Sequence, residues 1–252
     1  MRGKDRIERI MEILQDEKSA TVTELSERFG VTEETIRRDL NKLADEGHVT
    51  RTYGGAVLSK APAVESNHFY KRMASYADEK RAIALKVLPL LENKQSIAAD
   101  SSTTVLEVLK LLKERQDLTV LTNSTEALRE LMDSKMTIMS TGGIFNPQTM
   151  SLQGIVATQT IHNYTFDTLL ISCAGLDKER GALDSNEFEA ITKLAMLEQA
   201  EQVVMLLDHS KFDKPAFLKL ADFTHIDVLV TNQRPSDEWM RFFEANNITI
   251  IY

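Results

Sequence analysis

The sequence contains a single cysteine, Cys173, among its 252 residues, and this scarcity excludes two kinds of site. One thiol cannot form an intramolecular disulfide, nor can it supply the thiolates of a cysteine-based zinc site. Long apolar runs are also missing, because no stretch approaches the ~18 residues of a membrane-spanning helix. The first residues, MRGKDRIERIMEIL, are charged and periodic, unlike the apolar core of a signal peptide. We therefore expect a cytoplasmic protein without a membrane segment.

Paired histidines and an excess of positive charge are lacking as well. The five histidines are scattered without the spacing of metal ligands, so we expect neither a metal site nor a cofactor. The net charge of −8 argues mildly against a nucleic acid partner. Residues 1–60 hold 11 Lys and Arg against 12 Asp and Glu, a net charge of −1. If this segment binds DNA, its cations must be clustered on one surface, because its net charge does not attract the phosphates.

The residues that are present indicate a small amino-terminal domain of three short helices. An apolar stripe predicts a helix over residues 5–17. Thr23 is a candidate N-cap for a second helix, and Gly30 is suited to the left-handed position at its end. Thr32 then caps a third helix, which Gly47 ends. Two short helices joined by a tight turn that contains glycine make a helix-turn-helix, at about residues 20–39.

The third helix, TEETIRRDLNKL, has two dissimilar faces. Helical spacing places Ile36, Leu40 and Leu43 on one stripe, which must face a core. The opposite face carries two arginines and an amide, which suits either an ordinary solvated surface or a DNA recognition helix. The following run, HVTRTYGGAVL, predicts a small hairpin, or wing, and favours the second interpretation. We expect a winged helix-turn-helix domain over residues 1–58 that contacts DNA through Thr35, Arg37, Arg38, Asn41, Lys42, Arg51 and Tyr53.

The rest of the chain predicts a linker and a larger α/β domain. Residues 59–77 lose periodicity and include Pro62, and the second domain spans residues 78–252, with Asp78 as the first helix cap. Apolar strand-like runs alternate with helical ones, which indicates a parallel sheet covered on both faces. We expect strands at 96–100, 118–122, 136–140, 167–174, 202–208, 227–231 and 248–252, and helices near 104–113, 125–133, 154–162, 189–200 and 236–246.

Polar or small residues follow several of these strands. Asp100 and the hydroxyl run Ser101–Thr104 stand where a strand ends and a helix begins, a position that favours phosphate. The alternative is that such hydroxyls only cap helices and form loops. The candidate small-molecule site comprises Asp100, Ser101, Ser102, Thr103, Thr104, Thr122, Asn123, Ser124, Gly142, Gly143, Gly175, Lys193 and Lys211.

The run VTELSERFGVTEETIRRDLNKLADEGHVTRTYGGA, residues 22–56, resembles the DeoR family of bacterial transcription regulators. The family's wing ends in R-x-H-G-G-A, and this chain has Tyr53 in place of the histidine. DEKRAIA, DSSTT, LTNS, SCAGLD and LLDHSKF resemble the family's sugar-phosphate sensor, whose fold is similar to ribose-5-phosphate isomerases. The resemblance implies a regulator, most often a repressor, of carbohydrate metabolism that binds operator DNA and a phosphorylated sugar. Because one helix-turn-helix reads few bases, we expect a homo-oligomer, either a dimer or a tetramer.

The resemblance to an isomerase fold makes a sugar-phosphate isomerase the main alternative. Glu187, Glu189 and Asp184 stand where an acid–base residue is plausible, and Lys193 could be a ligand cation. Ordinary i, i+4 pairing of Glu189 with Lys193 would explain the same residues structurally. The attached helix-turn-helix favours a regulator that is not an enzyme.

Overall fold

The structure, a computed structural model, describes residues 3–45, 49–58 and 68–252. The chain divides into two compact units, Met1–Tyr70 and Lys71–Tyr252. The predicted end of the third helix at Gly47 and the first part of the predicted linker, residues 59–67, lie outside the described residues. Within the described ranges, no helix is long and apolar enough to cross a membrane.

The first unit packs three helices on a three-stranded antiparallel sheet. Its strand order is β1-β3-β2, so the predicted wing hairpin β2–β3 gains β1 as a third strand on the far side of β3. The core is built from buried apolar residues of all these elements, with Ile10 and Leu14 contributed by the first helix. The elements are α1 (Gly3–Glu17), β1 (Ser19–Thr21), α2 (Val22–Phe29), α3 (Glu33–Asp45), β2 (Val49–Arg51) and β3 (Gly55–Leu58).

Helix α2 starts two residues earlier than the cap at Thr23 would require. Thr21 is the N-cap: its hydroxyl accepts from the Glu24 N–H at 3.2 Å, and the Glu24 carboxylate accepts from the Thr21 N–H at 2.8 Å. This reciprocal capping box satisfies two backbone donors, which the Thr23 position does not. The Thr23 hydroxyl donates instead to Glu33 at 3.0 Å. The predicted end of α2 is confirmed, because Gly30 has a φ of +62°.

The second unit is built around a seven-stranded parallel sheet. Its order is β15-β14-β12-β9-β4-β5-β6, and it contains all seven strands that the sequence predicts. Alternate residues of β9 and β12, such as Leu169 and Met205, join one core cluster with Ala190 and Met196 of the long helix Glu187–Leu197. The sheet strands are β4 (Ser96–Ala99), β5 (Thr119–Thr122), β6 (Thr137–Ser140), β9 (Thr168–Ile171), β12 (Val203–Leu207), β14 (Val228–Thr231) and β15 (Thr249–Ile251).

Each predicted helix of this unit is present. The described bounds are α5 (Ala77–Val87), α6 (Thr103–Leu111), α7 (Thr125–Glu130), α8 (Ile155–Ile161), α9 (Glu187–Leu197) and α10 (Asp237–Ala245). A further helix, α4 (His68–Ala74), occupies part of the range predicted as an irregular linker. Asp78 is not a cap: α5 begins after Tyr76, whose φ is +55°, and Asp78 lies in its first turn.

Two small antiparallel sheets were missed by the sequence interpretation, because their strands are too short to show a period. One is the hairpin of β7 (Ile144–Asn146) and β8 (Ser151–Gln153). The other has the order β10-β11-β13, formed by β10 (Gly175–Asp177), β11 (Gly181–Asp184) and β13 (Leu218–Ala221).

Candidate functional site

Helix α3 separates an apolar face from a polar one. Ile36 and Leu40 are fully buried, and Leu43 is nearly so, as the predicted stripe requires. The helix therefore presents its other face to solvent, and the side chains exposed there are those of Arg37, Arg38, Asn41 and Lys42.

The start of α3 is held by its two threonines. The Thr32 hydroxyl accepts from the Thr35 N–H at 3.4 Å, so Thr32 caps the helix as predicted. Thr35 is half-buried, and its own hydroxyl is 2.9 Å from that of Thr32. A DNA contact by the Thr35 hydroxyl would therefore compete with this local hydrogen bond.

The two arginines of α3 differ in how they are engaged. Arg37 donates to Glu33 at 2.7 Å, one turn earlier, and lies 3.9 Å from Glu34. No hydrogen bond or ion pair joins the Arg38 guanidinium to another residue in the described part of the chain. Arg38 can therefore contact a ligand without first breaking an ion pair. Arg37 must give up its interactions with Glu33 and Glu34 to do so.

A buried ion pair orients α3 from beneath. Arg6 of α1 donates from Nε to the Asp39 carboxylate at 2.6 Å, and the two side chains are only 11% and 10% exposed. The pair spans 33 residues of sequence and links α1 to α3. The sequence patterns did not identify this pair. The arginines next to Asp39 in sequence are Arg37 and Arg38, but its partner is Arg6.

The wing carries the last two predicted DNA contacts. Arg51 is half-buried and donates from Nη1 to the Gly55 carbonyl at 2.7 Å, so at least part of its guanidinium holds the wing turn. Tyr53 stands at the tip of that turn and is fully exposed. Tyr53 is therefore accessible to a partner. Arg51 holds the wing turn through its hydrogen bond to Gly55, and the rest of its side chain is partly accessible.

In the second unit, the sheet topology gathers the candidate ligand residues. From β4 the chain proceeds to β5 and β6 on one side, and then from β9 to β12, β14 and β15 on the other. The strand order therefore reverses between β4 and β9, and ligands of open α/β sheets bind at such a reversal, beyond the carboxyl ends of the strands. Asp100 follows β4 and Ser172 follows β9 at this position.

Asp100 and Lys193 form the centre of this site. The Asp100 carboxylate accepts from the Ser102 N–H at 2.9 Å and from the Ser172 N–H at 3.1 Å. The Lys193 ammonium lies 3.3 Å from the same carboxylate, donates to Asp184 at 2.7 Å and donates to the Ser172 carbonyl at 2.9 Å. Burial alone would lower the pKa of Lys193, but the carboxylates of Asp184, Asp100 and Glu189 raise it above its ordinary value. The lysine is therefore a fixed positive charge.

The three acids proposed for an isomerase are placed differently from one another. Asp184 and Glu189 are buried beside Lys193, whereas Glu187 is exposed in the first turn of α9. Glu189 accepts from the Ser101 hydroxyl at 3.1 Å, and burial raises its pKa. Lys193 interacts electrostatically with Glu189, as the structural alternative requires, but its ion pairs within 4 Å are with Asp184 at 2.7 Å and Asp100 at 3.3 Å. Across the described ranges, no group of three or more His, Cys, Asp and Glu is arranged to hold a metal ion.

The hydroxyl and amide side chains after β4 and β5 are buried, and several have structural partners. Ser102 and Ser124 are the N-caps of α6 and α7, as the alternative interpretation predicted. Thr122 accepts from the Ser124 N–H at 3.1 Å. Asn123 donates to the Leu152 carbonyl at 3.2 Å, but its buried Oδ1 has no hydrogen-bond partner among the described residues. That oxygen can accept from a ligand. Thr103 and Thr104 are buried in the first turn of α6.

The candidate glycines have structural reasons for being glycine. Gly143 has a φ of +109°, and a Cβ there would lie 2.5 Å from the Gln153 carbonyl, so only glycine lets β8 approach the loop after β6. At Gly175 a Cβ would lie 2.0 Å from the Lys214 carbonyl. Gly142, next to Gly143, also has a positive φ of +63°. These positions shape the loops at the strand ends.

A group of cations near Asp208 was largely missed by the sequence interpretation, which identified only Lys211. Lys80 of α5 is buried, and its pKa falls to about 8 because burial outweighs the attraction of Asp208. Burial likewise lowers the pKa of Lys211, and Arg72 lies close enough to act on both lysines and on Glu189. The sequence did contain one indication of this group. Lys80 lies on the buried stripe of α5, where an apolar residue is usual and a charged one suggests a specific role.

Comparison with protein families assigns both units. Residues 6–61 match the DeoR-like helix-turn-helix domain, and residues 75–233 match the DeoR C terminal sensor domain. Among solved structures, a ribose 5-phosphate isomerase from Methanocaldococcus jannaschii is 15% identical, covers 55% of each chain and has a TM-score of 0.41. This likeness is too low to support an argument about activity.

Curated relatives extend over nearly the whole chain. An uncharacterized HTH-type transcriptional regulator of Bacillus subtilis, YulB, is 36% identical over 90% of this chain and 88% of its own. A putative aga operon transcriptional repressor of Escherichia coli O157:H7 is 32% identical over 91% and 86%, respectively. An L-fucose operon activator of Haemophilus influenzae is 32% identical over 98% of both chains. With both units matched and the relatives spanning them together, the chain belongs to the DeoR family of transcriptional regulators.

Proposed function

We propose that this regulator is a repressor of a carbohydrate-metabolism operon, and that a phosphorylated sugar changes its affinity for operator DNA. The observation that carries the proposal is the pairing, in one chain, of an exposed cationic helix face with a buried polar site at a sheet reversal. The aga operon relative is named a repressor, which supports that direction of control, although the L-fucose relative is named an activator. A bacterial regulator that binds operator DNA must have access to the chromosome, so we assign it to the cytoplasm.

The DNA interface consists of the outer face of α3 with the wing beside it. Arg38 is the residue best placed for base readout, because an unengaged guanidinium can make a bidentate contact with guanine. Arg37, Asn41 and Lys42 lie on the same exposed surface and contact phosphates or base edges. Thr35, Arg51 and Tyr53 complete the interface at its margin. We propose the domain limits that the sequence predicts, residues 1–58 for reading DNA and residues 78–252 for sensing the effector, and we add Arg72 of α4 to the sensor.

Arg38→Ala tests this docking. We expect it to weaken binding to the specific operator by roughly 1–3 kcal/mol while leaving binding to unrelated duplexes much less affected. Arg28→Ala is the matched control, because it removes the same charge from an exposed helix position that pairs with Glu17. Gel-shift titration of both variants at fixed salt measures the difference. Equal operator affinity for the Arg38 variant and the control would falsify the assignment of Arg38.

The effector site combines the polar centre at Asp100 with the cations near Asp208. The sugar hydroxyls bind Asp100 and Asn123, whose unpartnered Oδ1 accepts one of them. The phosphate binds the N-terminus of α6, where the Ser101–Thr104 run lies, and is neutralised by Lys80 and Lys211. Arg72 supports the same assignment, because it acts electrostatically on Glu189 of the first group and on both lysines of the second.

A thermal-shift screen identifies the effector. Phosphorylated pentoses and hexoses are compared with the same sugars without phosphate, and a specific ligand raises the melting temperature by mass action. Only the phosphorylated member of a pair should stabilise the protein. Lys211→Gln should remove that stabilisation and leave binding to operator DNA without effector unchanged. Equal shifts from both members of every pair would contradict a phosphate site.

The alternative, a sugar-phosphate isomerase, is favoured by the raised pKa of Glu189 and its burial beside Lys193. Buried carboxyls of this kind serve as general bases, but they also occur in ligand-binding sites. A turnover assay with the effector found in the screen separates the two functions. A regulator gives no steady product formation, whereas catalysis that Glu189→Gln abolishes would establish the enzyme.

A further inference from the structure

A long segment of the second unit carries no charged side chain. Residues 136–166 contain no Lys, Arg, Asp or Glu, although charged residues make up 27% of the whole chain. The segment includes the hairpin β7–β8 and the helix α8. Charge depletion of this kind is typical of the centre of protein–protein interfaces rather than of solvated surface.

Large apolar side chains of this segment are exposed. Ile144 of the hairpin is 75% exposed, and Ile155 and Val156 at the start of α8 are 74% and 57% exposed. Loop geometry places them together: a Cβ at Gly154, just before α8, would lie 3.5 Å from Ile144. Isolated exposed apolar residues are ordinary, but a cluster of this size in a neutral segment is not.

Helix α9 continues the same surface. It packs against both α8 and β8, and an interaction of 3.1 Å between His162 and Glu198 joins the carboxyl-terminal ends of the two helices. Along α9, one exposed stripe has apolar residues three positions apart. We call the combined surface the neutral face, and its apolar members are Ile144, Ile155, Val156, Phe188, Ile191 and Leu194.

We propose that the neutral face is where a second copy of this chain binds. In a two-fold symmetric contact each residue meets the same surface on its partner, so a charged face repels itself. The chain has a net charge of −8, and a face without charge is therefore the one on which two copies meet with the least repulsion. The exposed charged residues beside this stripe are at its two ends: Glu187 in the first turn of α9, and Glu198 directly after its last residue.

The extent of the face also fits a second copy. The six apolar side chains of the face are each 40–75% exposed, and they can form the apolar centre of a standard interface, which buries roughly 800 Å² on each partner. The polar rim of such an interface supplies the remainder. The need for two copies rests on the proposed function, because one helix-turn-helix reads too few base pairs. The location of the contact rests on the neutral face alone.

Light scattering of the full chain tests the location. We expect wild type to have a mass of at least twice the 28.5 kDa protomer, and Ile191→Lys and Val156→Lys to shift toward the protomer mass at micromolar concentration. Leu85→Lys is the matched control, since Leu85 is 56% exposed on α5, outside the neutral face. That control should keep the wild-type mass. Circular dichroism confirms that each variant is folded.

A charge-pairing experiment sharpens the result. Ile191→Lys and Ile191→Glu should each be dissociated alone, and mixing them should restore part of the oligomer, because opposite charges then meet across the contact. Variants that retain the wild-type mass would overturn the proposed face even if wild type is oligomeric. A monomeric wild type would overturn it as well, together with the expected oligomer. Specific operator binding, measured separately by gel shift, is the test of the DNA-binding function itself.

Discussion

At the scale of single residues, buried charges position the two candidate functional sites of this regulator. Arg6 and Asp39 tie the recognition helix to α1 with a contact of 2.6 Å. Lys193 similarly joins Asp184 of β11 and Asp100, which follows β4, through contacts of 2.7 and 3.3 Å. Each of these charged side chains would be costly to bury alone. Removing one partner therefore leaves the other as a buried charge without a counterion, in addition to the lost contact.

The Arg6–Asp39 pair can be tested by removing one charge or both. Asp39→Ala leaves Arg6 buried without its counterion and should lower the free energy of unfolding of the first unit by about 3–5 kcal/mol. The double variant Arg6→Met/Asp39→Leu should recover most of that loss, because apolar side chains can replace a buried pair. Glu33→Ala, which breaks the exposed pair with Arg37, should cost at most about 1 kcal/mol.

Hydrogen exchange of the α1 and α3 amides measures these changes. Fluorescence does not report on this unit, since the single tryptophan, Trp239, lies in the other one. Equal destabilisation by Asp39→Ala and by the double variant would mean that the pair does not act through its charge balance.

Glu189 predicts a pH dependence of stability in the second unit. Burial raises its pKa above the ordinary value of 4.5, despite the attraction of Lys193 and Arg72 and the hydroxyl of Ser101. Below about pH 4.5 the carboxyl is protonated in both folded and unfolded states and carries no penalty. As the pH rises from there toward the higher folded-state pKa, the carboxyl ionises in the unfolded state first, so the free energy of unfolding falls, and this penalty persists at neutral pH.

Glu189→Gln should therefore be more stable than wild type at pH 7, and the difference should vanish near pH 4. The gain is about 1.4 kcal/mol for each unit by which the pKa is raised. Urea titrations followed by the fluorescence of Trp239 measure it, because this residue is buried in the same unit. A difference between the two proteins that is the same at pH 4 and at pH 7 would show that Glu189 acts through packing instead of ionisation.

At the scale of elements, the N-terminus of α6 is the proposed phosphate site of the sensor. Ser102 caps this helix by accepting from the Val105 N–H at 3.3 Å, and Thr103 follows in the first turn. The same groups are proposed to hold the effector's phosphate. A capping role and a ligand-binding role must therefore be separated experimentally.

The variant Ser102→Ala/Thr103→Ala should abolish the response of operator binding to effector and leave binding without effector near wild type. Allosteric coupling is typically about 1–3 kcal/mol, and it disappears when the effector no longer distinguishes two states. Loss of the cap itself should cost about 1 kcal/mol of stability. Ser236→Ala removes the equivalent cap of α10 at Trp239, so it should show that stability loss with an intact response. Operator titrations with increasing sugar phosphate give the result, and a folded double variant that still responds would move the phosphate site elsewhere.

At the scale of the whole molecule, the proposed contact between two copies brings two recognition helices to two half-sites together. A two-fold oligomer binds half-sites that lie on the same side of the duplex, about one helical turn apart or a multiple of it. Inserting about 5 base pairs between the half-sites should turn one of them to the opposite side and reduce binding strongly. Inserting about 10 should restore much of it. Gel-shift titration on these operators measures the effect, and equal affinity for all three spacings would indicate that each recognition helix binds independently.

The sequence by itself determined the elements and the chemistry of the surfaces. Periods of 3.6 and 2 residues are local properties, so they predicted α3 with its buried Ile36 and Leu40 and all seven strands of the parallel sheet. The exposure of Arg38 followed from the same periodicity. Strand ends could also be located, which is why Asp100 was recognised as a ligand candidate.

Only the tertiary structure decided which of these residues meet. The strand order brings Ser172 to Asp100 across 72 residues, and Lys193 to Asp184 rather than to Glu189 on its own helix. It likewise places Lys80 of α5 near Asp208, and it adds β1 to the wing. Such contacts join positions far apart in the chain, and no local pattern encodes them, because their energy depends on burial and neighbours that exist only once the sheet has assembled.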